Sequence, residues 1–217
     1  MRALAFDVFG TLFDVGSILE RARGIVREPE EFVALWRRKQ LEYTFLLSLM
    51  DRFMTFSEVT RRALQYTLRQ LDARMEPSQL EALTEAWKEL PLYPDVLPAM
   101  EILKDRFTLV VLSNGERSLL DALIRRVGLD GHFSHILSAE EVGTYKPSPR
   151  VYQLAAVKLG LAMQDVGLVS SNAFDVMGAK AAGLKTFWVN RGRAVLDPLN
   201  LDPDLDVRDF DELVRSL

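Results

Sequence analysis

Four short, largely apolar runs, Leu4 to Phe6, Phe107 to Leu112, Val166 to Val169 and Lys185 to Val189, each end in polar residues, and the last three alternate with stretches of helical length. Strands buried on both faces read as unbroken apolar runs, and strands that alternate with helices build a parallel sheet with right-handed crossovers. Ligands bind outside the carboxyl ends of such strands, so the polar residues there converge on one edge. The first run ends at Asp7, followed by Gly10, which permits a turn that other residues resist, and by the hydroxyl of Thr11. The second ends in Ser113-Asn114-Gly115 and the third in Ser170-Ser171-Asn172, with Asp175 just beyond. Asp7 alone could equally cap a turn. With the other strand ends beside it, Asp7, Ser113, Asn114, Lys146, Ser170, Asn172 and Asp175 are expected to line one cleft.

From about Ser17 to Leu90 the texture changes to helical spacing with few glycines. Pro29 followed by Glu30 and Glu31, Thr55 or Ser57 ahead of Glu58, and Pro77-Ser78 mark helix starts. Arg37, Leu41 and Thr44 share one helical face. Pro91 and Pro94 forbid a continuous helix on the return. The expected architecture is therefore α/β: a Rossmann-like parallel-sheet core of residues 1–14 and 92–217, with an α-helical cap of residues 15–91 inserted. Within the returning core, helices are expected at 95–105, 119–127 and 151–159, and a short strand at 135–137. Asp209 is expected to cap a closing helix. A chain of 217 residues, 48% hydrophobic, can bury the core this requires.

Several function classes recede. The formal net charge of -4 gives no basic field for nucleic acid, although local positive charge inside a cleft is compatible with it. Without cysteine there is no thiol chemistry, disulfide or thiolate metal site. No apolar segment reaches membrane-spanning length, and Asp7 comes too early for a signal peptide, so no membrane association and a cytoplasmic location are expected. His132 and His135, the only histidines, read as structural. An α/β-hydrolase would need a histidine to activate water and a nucleophile elbow, which the chain lacks. What remains is a carboxylate able to act as nucleophile, a lysine able to keep it ionised, neutral donors for a small anion and a second carboxylate to activate water.

Asp7-Val8-Phe9-Gly10-Thr11, Leu112-Ser113-Asn114 and Lys146-Pro147 resemble the successive motifs of the haloacid dehalogenase superfamily, over nearly the whole chain. Most members resemble magnesium-dependent phosphatases, with a second Asp two residues after the nucleophile and further acids after the last core strand. Here Phe9 stands in the first of those places and Ser171 in the second. Phe9 cannot protonate a leaving oxygen, and fewer acids hold magnesium poorly. A halide departs as a stable anion and needs neither.

Trp36-Arg37, the run Lys39 to Thr44, Ser113-Asn114-Gly115, Tyr145-Lys146-Pro147, Val151-Tyr152 and the run Ser170 to Asp175 are similar to the L-2-haloacid dehalogenases. That resemblance implies metal-independent hydrolysis of short L-2-haloacids to D-2-hydroxy acids through an Asp7 ester, with no cofactor. It implies that Arg37, Asn114 and Phe174 cradle the halide, and that Ser113 with the backbone amides beside Val8 and Phe9 holds the substrate carboxylate. Lys146 and Tyr152 would orient Asp7, with Thr11 in the same network; Ser170, Asn172 and Asp175 would surround the hydrolytic water. Phe9, Leu41 and Phe56 would form apolar wall, and Arg38 and Phe174 would bear on pocket shape. The partners implied are the 2-haloacid, water and a second copy in a homodimer. A magnesium-dependent phosphatase, a fluoroacetate-type dehalogenase and a non-catalytic binding protein are the competing readings.

Overall fold

A computed structural model describes all 217 residues. β1 (Ala3–Phe6) is wholly buried and leads through the Asp7–Phe13 turn into a helical insertion. The insertion holds α1 (Ser17–Ala22), α2 (Pro29–Leu49), α3 (Phe56–Gln70) and α4 (Pro77–Glu85). Two crossing segments carry the chain out and back. Asp14 N–H donates to the Pro91 carbonyl at 2.8 Å, Tyr93 N–H donates to the Leu12 carbonyl at 2.9 Å, and Phe13 bridges Leu92. Prolines at the return thus break the last helix just where the two passages pair.

The remainder alternates helix and strand: α5 (Val96–Leu103), β2 (Thr108–Ser113), α6 (Arg117–Arg126), β3 (His135–Ser138), α7 (Pro149–Leu159), β4 (Val166–Ser170), α8 (Ala173–Ala182) and β5 (Lys185–Val189). β6 (Leu205–Val207) and α9 (Phe210–Ser216) close the chain. The six strands pair parallel in the order β3-β2-β1-β4-β5-β6. β1 is central and has its sequence successors on opposite sides, so the strand order reverses there and opens a crevice at its carboxyl end. The fold is the α/β parallel sheet with helical insertion that the sequence pattern implies.

Local capping follows the residue chemistry. Thr55, rather than Ser57, caps α3, accepting the Glu58 N–H at 3.3 Å, and Asp209 caps α9 through the Glu212 N–H at 2.7 Å. β2 runs one residue further than its apolar run, because Ser113 pairs with Ser138 of β3. β6 carries no apolar run and has Asp206 at its centre; it forms only as an edge against β5. Its backbone pairing, not its side chains, makes it a strand.

Candidate active site

Asp7 follows the last residue of β1, and its N–H donates to Val169 of β4 at 3.0 Å, so the sheet itself fixes its backbone. The carboxylate is almost fully buried and is held from three sides. Thr11 Oγ1 and Asn172 Nδ2 both donate to Oδ2 at 2.8 Å, and Lys146 Nζ donates to Oδ1 at 3.2 Å. Asn172 also donates to the Phe9 carbonyl at 3.1 Å, tying the β1 turn to the start of α8. Gly10, at φ +84°, supplies the left-handed residue that turns the chain back over Asp7.

Lys146 has a second carboxylate partner. Its Nζ donates to Asp175 Oδ2 at 2.8 Å, and Tyr152 Oη donates to Asp175 Oδ1 at 2.9 Å. Burial pulls the Lys146 pKa down, but the charges of Asp175 and then Asp7 outweigh it, so the ammonium is raised above its ordinary value. Burial and the neighbouring Asp7 charge raise Asp175, against the pull of Lys146 and Ser170. Burial drives the Tyr152 hydroxyl well above its usual range, so it stays a protonated donor. Ser170 Oγ accepts the Asn172 N–H at 3.1 Å.

Over this polar floor lies an aromatic wall. Phe9 stacks on Phe56 with centroids 4.9 Å apart, and Trp87 packs 5.8 Å from Phe9 and 6.1 Å from Phe56. Asp7, Phe9, Arg37, Leu41, Phe56, Asn114, Lys146, Asn172 and Phe174 enclose about 10 Å³ of free space, room for roughly one water molecule. Arg37 reaches in from α2, its guanidinium 5.8 Å from the Trp87 ring centroid. Its only side-chain hydrogen bond within the protein is to Gln40 Oε1. Burial lowers its pKa to about 10, with Asp7 opposing, so it remains charged at neutral pH.

The expected residues thus meet at one place, with three corrections. Tyr152 orients Asp175 and not Asp7: its hydroxyl reaches only Asp175, including the Asp175 carbonyl at 3.2 Å. Ser113 does not line the cavity; its hydroxyl accepts the Gly115 N–H at 3.2 Å inside the β2 turn. Arg38 is exposed on the far side of α2 and does not shape the pocket. The Val8 and Phe9 N–H groups donate to no protein acceptor, leaving two free donors beside Asp7. Asn114 Oδ1 accepts the Lys146 N–H at 2.9 Å, which aims its amide nitrogen away from that contact. Sequence reasoning missed Gln40 and Trp87. The i+3 spacing of Gln40 from Arg37 was a usable signal; nothing local marked Trp87.

The donor set does not suit a divalent cation. The Lys146 ammonium stands between the two buried carboxylates, Phe9 offers a ring and Ser171 a hydroxyl, and no three His, Cys, Asp or Glu side chains converge. The centre of the site is thus a buried aspartate at the switch point of a parallel sheet, buttressed by lysine and roofed by an inserted helical layer. The chain belongs to the haloacid dehalogenase-like hydrolases, whose family model matches residues 1–183. It is 39% identical over 217 residues to the (S)-2-haloacid dehalogenase of Pseudomonas sp. (strain YL), covering 99% of this chain and 94% of that one. It is 35% identical to haloacetate dehalogenase H-2 of Moraxella sp. (strain B), covering 100% and 98%. Its fold matches that of L-2-haloacid dehalogenase from Xanthobacter autotrophicus with chloropropionic acid covalently bound, at a TM-score of 0.91 and 33% identity, covering 99% and 97%.

Proposed function

We propose that this chain hydrolyses the carbon–halogen bond of short L-2-haloacids, giving D-2-hydroxy acids and halide, without a metal or other cofactor. One observation carries the reading: a buried Asp7 carboxylate, ionically held by Lys146, shares a small cavity with a guanidinium that no protein carboxylate neutralises. Residues 1–14 and 92–217 act as the catalytic core and residues 15–91 as its cap.

The substrate carboxylate accepts from the free Val8 and Phe9 amides. Asp7 Oδ1, which carries only the longer Lys146 contact, attacks Cα opposite the halogen. A C–O bond forms as the C–X bond breaks, and the halide leaves with the bonding pair toward Arg37, Asn114 and Phe174. Cα inverts. Water then adds to the Asp7 carbonyl carbon. The negative charge develops on Oδ2, where Thr11 and Asn172 already donate. Asp175, backed by Ser170 and Tyr152, takes the water proton. The bond between the Asp7 carbonyl carbon and the ester oxygen breaks, the departing alkoxide takes the proton back from Asp175, and Asp7 returns to a carboxylate as its remaining proton passes to solvent.

A haloacetate is a second substrate of the same site, in keeping with the similarity to the Moraxella enzyme. No helix is long and apolar enough to cross a membrane; the enzyme works in the cytoplasm on a small molecule, not on nucleic acid. Leu46, Leu49 and Met50 are exposed at the end of α2, and a second copy covers them in a homodimer. Halide release from L-2-chloropropionate, with the D enantiomer in parallel and EDTA throughout, tests the reading. Chloride from the L form alone is the expected result. Chloride from neither, with phosphate release from esters once magnesium is added, would overturn it.

A further inference from the structure

A guanidinium that must receive a departing anion has to be held firmly yet not neutralised. We infer that Gln40, anchored by Thr60, is the positioning residue that fixes Arg37 toward the leaving halide while leaving its charge uncompensated. This rests on the reading of Arg37 as the halide contact.

Gln40 is fully buried on α2, one turn beyond Arg37, and a buried amide needs partners at both ends. Its Oε1 accepts from Arg37 Nη1, and its Nε2 donates to Thr60 Oγ1 on α3 at 2.5 Å. The Thr60 hydroxyl donates to the Phe56 carbonyl at 2.7 Å, so toward Gln40 its oxygen can only accept. That fixes the amide with its nitrogen toward Thr60 and its oxygen toward Arg37. Trp36 Nε1 donates to the Thr60 carbonyl at 2.9 Å, pinning α3 against α2 at the same point.

The direction of each hydrogen bond in this relay is therefore fixed, and the relay ends on the guanidinium without contributing a formal negative charge. A glutamate at position 40 has nearly the same shape and would bind Arg37 more strongly. It would also cancel the charge that the halide needs. If Gln40 merely packed two helices together, its effect would not depend on which halogen leaves. As the holder of Arg37, it matters most where the leaving group is poorest.

The test compares Gln40→Glu, Thr60→Val and Thr60→Ser with wild type, using Arg37→Leu as reference. Halide release is followed in a single turnover of L-2-chloropropionate and L-2-bromopropionate, and bromide is titrated as a product inhibitor. Gln40→Glu is expected to slow chloride release roughly tenfold to a hundredfold, bromide release less, and to weaken bromide inhibition by a similar factor. Thr60→Val shifts all three in the same direction, and Thr60→Ser, which keeps the hydroxyl, restores wild-type values. Should Thr60→Val not fold, Gln40→Glu decides alone. If Gln40→Glu keeps the wild-type chloride-to-bromide ratio and bromide inhibition while Arg37→Leu changes both, the inference falls and the halide role of Arg37 stands. If Arg37→Leu changes neither, that role falls and takes the inference with it.

Discussion

Replacing Lys146 with methionine strips the ammonium from between Asp7 and Asp175 and leaves two buried carboxylates facing each other. The lysine is 1% exposed and Asp175 is fully buried, so water cannot substitute for the lost charge. Breaking a buried pair by removing one partner costs about 3–5 kcal/mol. For a chain of this size each kcal/mol moves the melting temperature by about 2–4 °C, so Lys146→Met should melt roughly 6–20 °C below wild type at neutral pH. The pH dependence has a definite sign. The folded pKa of Asp175 is already raised, so the folded state binds that proton better than the unfolded one. Its stabilising contribution is present below the ordinary carboxylate pKa and lost as pH rises through the folded value. Without Lys146 the folded value rises further, and the deficit should shrink as pH falls from 7 toward 4. Calorimetric melts at both ends of that range, with Lys146→Met/Asp175→Asn as the rescue, measure it. A deficit below 2 °C at pH 7, or one equally large at both pH values, would refute the idea that uncompensated buried charge is what Lys146 relieves.

Asp7→Asn keeps the Thr11 contact and should fold normally, while chloride release in a continuous halide assay falls on the order of ten-thousandfold or more, since the covalent route is gone. Single turnover in ¹⁸O-labelled water should place label first in the Asp7 carboxylate, read by peptide mass spectrometry. Gly178 lets α8 approach the Lys146-Pro147 loop: a Cβ there would stand 2.5 Å from Pro147 Cβ and 2.6 Å from Tyr152 Oη. Gly178→Ala should therefore cost about 1–3 kcal/mol in thermal melts and slow turnover by displacing Tyr152 from Asp175. Leu49→Glu should convert a dimer to a monomer in light scattering with halide release unchanged; a wild-type monomer at micromolar concentration would dispose of the proposed interface.

The sequence by itself determined which residues could meet. A strand buried on both faces needs an apolar run, and a parallel sheet delivers the residues after such runs to one edge, so Asp7, Asn114, Asn172 and Asp175 were legible as neighbours at long sequence separation. The prolines at 91 and 94 likewise marked the end of the helical insertion, because proline's missing N–H acts locally. What the linear chain could not contain is the direction in which each side chain spends its hydrogen bonds. Tyr152 turned to Asp175 on a neighbouring helix, Ser113 turned into its own loop, and Arg38 turned to solvent. The same holds for Gln40, whose partner Thr60 lies on a different helix, and for Trp87, which joins the aromatic wall only because the insertion folds back over Phe9. β6 exists only because β5 offers its edge. Periodicity and turn chemistry act over a few residues and are written in order. Packing direction and hydrogen-bond choice are settled between elements, when burial forces every polar group to find a partner.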